Sequence, residues 1–301
     1  MRNGPFFVEG DALWANVTLR RHATDAEGAA PQPVVIYDSG VGGLSVATHL
    51  AGMCPSRDLV YLADNGWFPY GNKGEGALAR RVHHLLDSLA ACVEPAAILV
   101  ACNTASTAIT DRLVGDGSVP IIGVVPPIAS AIAASRTGRV ALLATPGTLS
   151  RRLVAELIRT HAESEQVTCL GPLALVDLAE RKMAGESITP RHVIDAIERL
   201  LPRSGRDEID VVILGCTHFP LLKDELAHAF PNARHWMDPA REACRATAAR
   251  LSSSSTGDGG AGDGRRTLFL TSDHNDQHLR EVFATRGFGR ASAVSWETEA
   301  A

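Results

Sequence analysis

The 301-residue sequence has no apolar run near the roughly 20 residues that a membrane-crossing helix needs. Nor does a signal-peptide core develop at the start, where Met-Arg-Asn-Gly-Pro-Phe-Phe-Val-Glu-Gly meets acid at Glu9 and Asp11, so a cytoplasmic protein is expected. A basic block is missing too: 29 basic against 34 acidic residues leave a net charge of -5. That balance argues against nucleic acid or an anionic membrane as partner and favours a small molecule. The six cysteines, at 54, 92, 102, 169, 216 and 244, include no Cys-x-x-Cys pair, which excludes zinc knuckles and thioredoxin-like motifs. Neither a metal site nor a disulfide framework is expected, and each cysteine is read as a buried apolar residue or a reactive thiol.

What the sequence does contain is ordinary for a globular chain: 45% hydrophobic and 21% charged residues. At about 150 residues per domain, the length suggests two domains. Residues 1–32 show no clean periodicity and are read as a peripheral extension. From Pro33 on, short Val/Ile/Leu runs alternate with longer stretches of helical spacing, the pattern of parallel sheets covered by helices, so the class is α/β. Strands are expected at Val34–Tyr37, Leu59–Leu62, Ile98–Ala101, Ile121–Val124, Val140–Ala144, Val167–Leu170, Val211–Leu214 and Leu268–Thr271. A helix is expected over Gln277–Phe283. The Ser/Gly-rich run at 252–264 reads as a flexible loop insertion. The double pair Arg80-Arg81 and His83-His84 reads as a solvated helix face without a role.

An internal echo carries more information. Ile36-Tyr-Asp-Ser-Gly40 and Leu143-Ala-Thr-Pro-Gly147 each end an apolar strand in a small polar turn. Each is followed downstream by another apolar strand that closes in cysteine and threonine, Leu99-Val-Ala-Cys-Asn-Thr104 and Ile213-Leu-Gly-Cys-Thr-His218. Two pseudo-symmetric domains are the expected architecture: 33–126 plus 239–301, and 127–238, each a mainly parallel sheet flanked by helices. Ligands of such sheets bind beyond the carboxyl ends of the strands, so all four turns fall at an interdomain crevice.

The residues at those turns have suitable chemistry. Cys102 precedes a helix start, where backbone N–H groups favour a thiolate. Cys216 has His218 beside it, an imidazole able to take and return the thiol proton. Packing alone would explain either cysteine, but the paired placement favours reactivity; Cys54, Cys92, Cys169 and Cys244 lack such neighbours and read as packing residues. Asp38 is either a helix cap or an acceptor for a thiol proton or a substrate ammonium. The turn Gly40-Val-Gly-Gly43 lacks the final Gly or Ala of a dinucleotide fingerprint. The loop from Asp64 to Gly71 would offer backbone amides and the Tyr70 hydroxyl to an anion.

Taken together, Asp38-Ser-Gly-Val-Gly-Gly43, Pro69-Tyr-Gly71, Ala101-Cys-Asn-Thr-Ala-Ser106, Pro120-Ile-Ile-Gly123, Thr145-Pro-Gly-Thr148 and Leu214-Gly-Cys-Thr-His-Phe-Pro-Leu-Leu222 resemble the glutamate racemases of the aspartate/glutamate racemase superfamily, across about residues 33 to 290. The resemblance implies a cofactor-independent enzyme that inverts the α-carbon of free glutamate with two bases and supplies D-glutamate for peptidoglycan. It implies Cys102, assisted by Asp38, as the acid/base facing D-glutamate, and Cys216, assisted by His218, as the one facing L-glutamate. Asp38, Ser39, Tyr70, Gly71, Asn103, Thr104, Thr217 and His218 would hold the substrate, with Asp64, Thr145 and Thr148 as further candidates. Two segments depart from the family pattern: Pro126 stands where a glutamate is usual, and Asn65-Gly-Trp67 precedes Phe-Pro-Tyr-Gly. A racemase of aspartate or another amino acid, or a catalytically weak binding or regulatory relative, is the alternative. A homodimer is admitted, though no oligomeric state is fixed.

Overall fold

The structure, a computed structural model, describes residues 6–7, 32–113, 119–163, 166–253, 263–272, 276–293 and 295–296. Most of the extension expected at 1–32 and of the loop at 252–264 lies outside the described residues. The strands are β1 (Phe6–Phe7), β2 (Val34–Asp38), β3 (Leu59–Ala63), β4 (Ala97–Val100), β5 (Ile121–Gly123), β6 (Val140–Ala144), β7 (Val167–Leu170), β8 (Val211–Gly215), β9 (His235–Met237), β10 (Arg266–Leu270), β11 (Arg290–Ala293) and β12 (Ser295–Trp296). They form a six-stranded sheet in the order β11-β10-β3-β2-β4-β5 and a four-stranded sheet in the order β7-β6-β8-β9. Both are wholly parallel. β1 and β12 pair antiparallel as a separate two-stranded piece.

The continuous apolar runs have a simple cause: both faces of each sheet are covered, so successive side chains enter different cores. On one face of the first sheet, Val35, Tyr37, Val60, Leu62, Ile98 and Val100 meet Leu78, Val82, Leu85, Leu86 and Leu89 of the helix Glu75–Val93. Their neighbours Val34, Ile36, Leu59, Tyr61 and Leu99 meet the helices Leu44–Met53 and Pro239–Ser253 on the other face. In the second sheet, Ala141, Leu143, Val212 and Leu214 pack on the helix Ala174–Met183. Val140, Leu142, Val211 and Ile213 pack on Ile128, Ala131 and Val154.

All eight expected strands are present to within two residues at either end, and β10 joins the first sheet beside β3. The expected helix appears as Asp276–Ala284. β9 is only three residues long and β11 reads Arg-Ala-Ser-Ala without a branched apolar run, so periodicity signals neither. The packing reading of the remaining cysteines fails at Cys169, which is exposed because β7 is an edge strand, and only Cys54 and Cys244 are fully in the core. Among the described residues no helix is long and apolar enough to cross a membrane.

Asp210 fixes the base of the second sheet, ahead of β8. Its carboxylate accepts from Ser135 Oγ at 2.6 Å, Arg136 N at 2.7 Å, Thr137 N at 3.2 Å and Thr137 Oγ1 at 3.0 Å, tying down the turn after the helix Ile128–Ala134. Burial raises this carboxyl, but those hydrogen bonds outweigh it and hold it below its ordinary value. Asp210→Ala is therefore expected to cost about 1–3 kcal/mol in a denaturant titration at pH 7. Because the folded-state value is depressed, the difference from the parent should shrink as pH falls from the ordinary carboxylate range through the lowered value. A difference independent of pH would contradict this assignment.

Candidate active site

Parallel pairing puts the carboxyl ends of β2 and β4 side by side, and those of β6 and β8 likewise. Asp38 ends β2, Cys102 follows β4, Thr145 follows β6 and Cys216 follows β8. The four turns singled out by the internal echo thus sit at strand ends of the two sheets.

Cys102 is the N-cap of the short helix Asn103–Ala108 and is 5% exposed, with Ser39 Oγ 3.8 Å from its sulfur. Burial, and after it the charge of Asp38, push its thiol up to about 12, against a smaller opposing effect of the Ala105 N–H. This corrects the expectation of a thiolate at a helix start. A helix of only six residues offers too little positive potential to offset loss of water and a nearby carboxylate. At neutral pH, Cys102 holds its proton.

Cys216 has a different neighbour. His218 Nδ1 lies 3.8 Å from its sulfur, and His218 Nε2 lies 2.6 Å from Glu180 Oε1. Burial works against the imidazolium, but hydrogen bonds and charge from Cys216 and Glu180 prevail and hold His218 well above its ordinary value. The Phe68 ring covers it, centroid to centroid at 5.7 Å.

Asp38 joins the two sheets. Its Oδ2 accepts from the Gly40 and Gly43 amides at 3.1 and 3.2 Å, and its Oδ1 from Thr217 Oγ1 at 3.3 Å. Burial raises its carboxyl above the ordinary value, partly countered by His218 and these donors. The glycines that match no nucleotide fingerprint find their reason here. A Cβ on Gly42 would lie 2.3 Å from Thr217 Oγ1 and 2.7 Å from His218 Nδ1. Gly42→Ala is accordingly expected to displace the Cys216 turn and cut turnover by more than about tenfold, while far-ultraviolet circular dichroism stays that of the parent. Unchanged turnover would show that the turn is not held this tightly.

A cavity of about 310 Å³, counted with its open mouth, lies between these groups. Ser39, Tyr70, Gly71, Cys102, Asn103, Thr104, Thr145, Cys216, Thr217 and His218 line it, drawn from both sheets. Thr148 stands behind Thr104 and Thr145: the three hydroxyls form a closed triangle of 2.9, 3.0 and 3.1 Å. Asn103 is 3% exposed, and its Oδ1 is buried without a hydrogen-bond partner. Such an acceptor suits a bound cation or N–H donor.

Asp38 and Asp64 do not line this cavity. Asp64 is buried beneath the Tyr70 loop, where it accepts from Tyr70, from Arg81 and from Thr271. The Tyr70 hydroxyl, expected to serve an anion, is committed to Asp64 and Tyr37, so backbone groups are what the loop has left to offer. Arg81, read as part of a solvated face, is also reassigned: only 17% of its side chain is exposed because Asp64 draws it inward. Pro126, at the position where the resemblance has glutamate, is buried and outside the lining.

Sequence reasoning missed Phe68, Pro69, Leu173 and Val176 in the lining, and Glu180 behind His218. Leu173, Val176 and Glu180 stand at i, i+3 and i+7, one face of the helix Ala174–Met183 and its cap. That spacing was readable, but not what the face looks onto. Among the described residues no cluster of His, Cys, Asp or Glu could hold a metal ion.

The sequence model of the Asp/Glu/Hydantoin racemase family matches residues 45–247. A glutamate racemase of Vibrio campbellii is 42% identical over 201 residues, 67% of this chain and 73% of its own. One from Brucella ovis is 36% identical over 262 residues, 87% of this chain and 94% of its own. Among solved structures, Escherichia coli glutamate racemase in complex with L-glutamate and the activator UDP-MurNAc-Ala superposes with a TM-score of 0.78 at 33% identity, covering 89% of this chain and all of that one.

Proposed function

The chain belongs to the Asp/Glu/hydantoin racemase family, and on that footing we propose that it is a glutamate racemase with Cys102 and Cys216 as its two acid/base groups. One observation carries the reading: two buried thiols, each at the end of a parallel strand of a different sheet, line one small cavity.

An α-proton beside an ionised carboxylate is a very poor acid, so charge developing on the α-carbon and its carboxylate must meet fixed donors in a site with little water. The Thr104 and Thr145 hydroxyls, turned out of their triangle with Thr148, and the backbone at Gly71 would hold carboxylates. Asn103 Oδ1, lacking a partner, would take the ammonium.

Inversion then moves two protons. With L-glutamate bound, the Cys216 sulfur removes the α-proton, while Cys102, whose thiol is raised to about 12, donates its own to the opposite face. For this His218 takes the Cys216 proton beforehand and holds it as an imidazolium, favoured by Cys216 and by Glu180. In the return direction Cys102 must give up its proton before it can act. Asp38, whose own carboxyl is raised by burial, is the base near enough to influence it. Each of the units 33–126 with 239–301, and 127–238, would supply one thiol. The product, D-glutamate, would serve peptidoglycan synthesis in the cytoplasm.

The test is direct. Purified protein incubated separately with L-glutamate, L-aspartate and other L-amino acids, followed by chiral chromatography, should convert glutamate toward an equal mixture and the others far more slowly. Faster turnover of aspartate would reassign the substrate. Absence of turnover with every amino acid would leave a binding relative.

A further inference from the structure

Under the Tyr70–Gly71 wall of the cavity lies a polar network that the proton chemistry does not use. Asp64, fully buried at the end of β3, accepts Arg81 Nε and Nη2 on separate oxygens, each at 2.6 Å. Thr271 Oγ1 donates to it at 2.6 Å, and the Tyr70 hydroxyl donates as well. Tyr70 thereby spends its only proton, so the hydrogen bond between Tyr70 and Tyr37 is donated by Tyr37. Burial and the charge of Asp64 hold the Tyr37 hydroxyl well above its ordinary value, which keeps it a neutral donor.

Arg81 reaches this network from the helix Glu75–Val93, next to Val82 in its buried stripe. Its guanidinium carbon stands 5.3 Å from the centre of the Trp67 ring, and Lys73 Nζ stands 5.1 Å from the same ring. Trp67 meets Tyr70 edge-on at 5.9 Å. The loop is therefore gripped from below through Asp64 and from the side through Trp67. Above, it has no slack: a Cβ on Gly71 would lie 2.8 Å from Thr145 Cβ, and one on Gly147 would lie 2.8 Å from the Gly71 carbonyl oxygen. Any change in loop height is passed to the threonines across the cavity.

We propose that Arg81 is a positioning residue for substrate affinity: by clamping Asp64, and Tyr70 through it, it holds Gly71 at the height where the carboxylate-binding wall closes on Thr145. This rests on the glutamate racemase reading above. Arg81 touches neither thiol nor the groups that assist them, so its loss should weaken binding and leave the proton transfers alone. The planar fork matters as well as the charge, because only a guanidinium spans both Asp64 oxygens.

The experiment measures kcat and KM for both glutamate enantiomers with the parent, Arg81→Met, Arg81→Lys and Trp67→Leu proteins. For Arg81→Met, KM should rise by about tenfold for both enantiomers with kcat within about twofold. Arg81→Lys should recover part of that loss, and Trp67→Leu, which keeps the ion pair, should show a smaller rise in KM. If Arg81→Met does not fold, the other two variants decide. Unchanged KM in the folded variants, or a fall in kcat at constant KM, would overturn the inference while leaving the enzyme a racemase. A parent protein that does not racemise glutamate would instead sink the reading on which the inference rests.

Discussion

Replacing either Cys102 or Cys216 by serine is expected to slow racemisation of glutamate in both directions by roughly 10²–10⁴-fold, the usual contribution of a positioned acid/base group. Serine keeps the outline of cysteine at both buried sites, so folding should survive. A hydroxyl is a far weaker acid than a thiol, so one face of the substrate loses its proton carrier. Each variant should nevertheless retain a half-reaction. With an amino-acid analogue that carries a leaving group on its β-carbon, removal of the α-proton expels that group, and no proton need be delivered to the opposite face. The Cys216→Ser protein should then process the D form through Cys102, and the Cys102→Ser protein the L form through Cys216. Loss of both half-reactions in both variants would mean that the thiols act as a unit, while near-normal racemisation would reduce them to core residues.

Asp38→Asn should abolish most turnover for a different reason. The carboxylate is a buried charge that the fold tolerates through the Gly40 and Gly43 amides and Thr217. Asparagine has one acceptor oxygen where the carboxylate offers two, and it cannot accept a proton from Cys102. A loss of about 10²-fold or more is expected. Stability should move in a telling way. The folded-state carboxyl is raised above its ordinary value, so its contribution to stability is present at acid pH and lost as pH rises through the raised value. Asp38→Asn removes that titration, and its stability relative to the parent should therefore improve as pH is raised across that window. A relative stability that instead declines over this range would show that the carboxylate is favourably paired and that burial is not its dominant environment.

Much of this was legible in the chain. Val34–Asp38, Ala97–Val100, Val140–Ala144 and Val211–Gly215 announce themselves because strands buried on both faces are nearly all apolar. The polar residues that end them are conspicuous for the same reason. What stayed hidden depends on partners distant in sequence. Glu180 is an unremarked glutamate until folding places it 2.6 Å from His218. Arg81 sits in a double arginine like many on solvated helices, and only Asp64 at the end of another strand turns it inward. The protonation of Cys102 could not be read locally either, because burial and the charge of Asp38 are properties of the assembled fold and override the helix start. The Tyr70 hydroxyl was misjudged through Tyr37 and Asp64, which lie outside its own loop.

The central claim is that one thiol removes the α-proton and a different one delivers its replacement to the opposite face. Incubation of the protein with protiated L-glutamate in deuterium oxide, stopped in the first few percent of conversion, tests this directly by mass spectrometry of the separated enantiomers. The two-thiol account predicts that D-glutamate formed at early times carries deuterium at the α-carbon, while the remaining L-glutamate keeps its proton. Protium retained in the D-glutamate, or deuterium entering the unconverted L-glutamate as fast as D-glutamate forms, would point to a single base serving both faces and contradict the account.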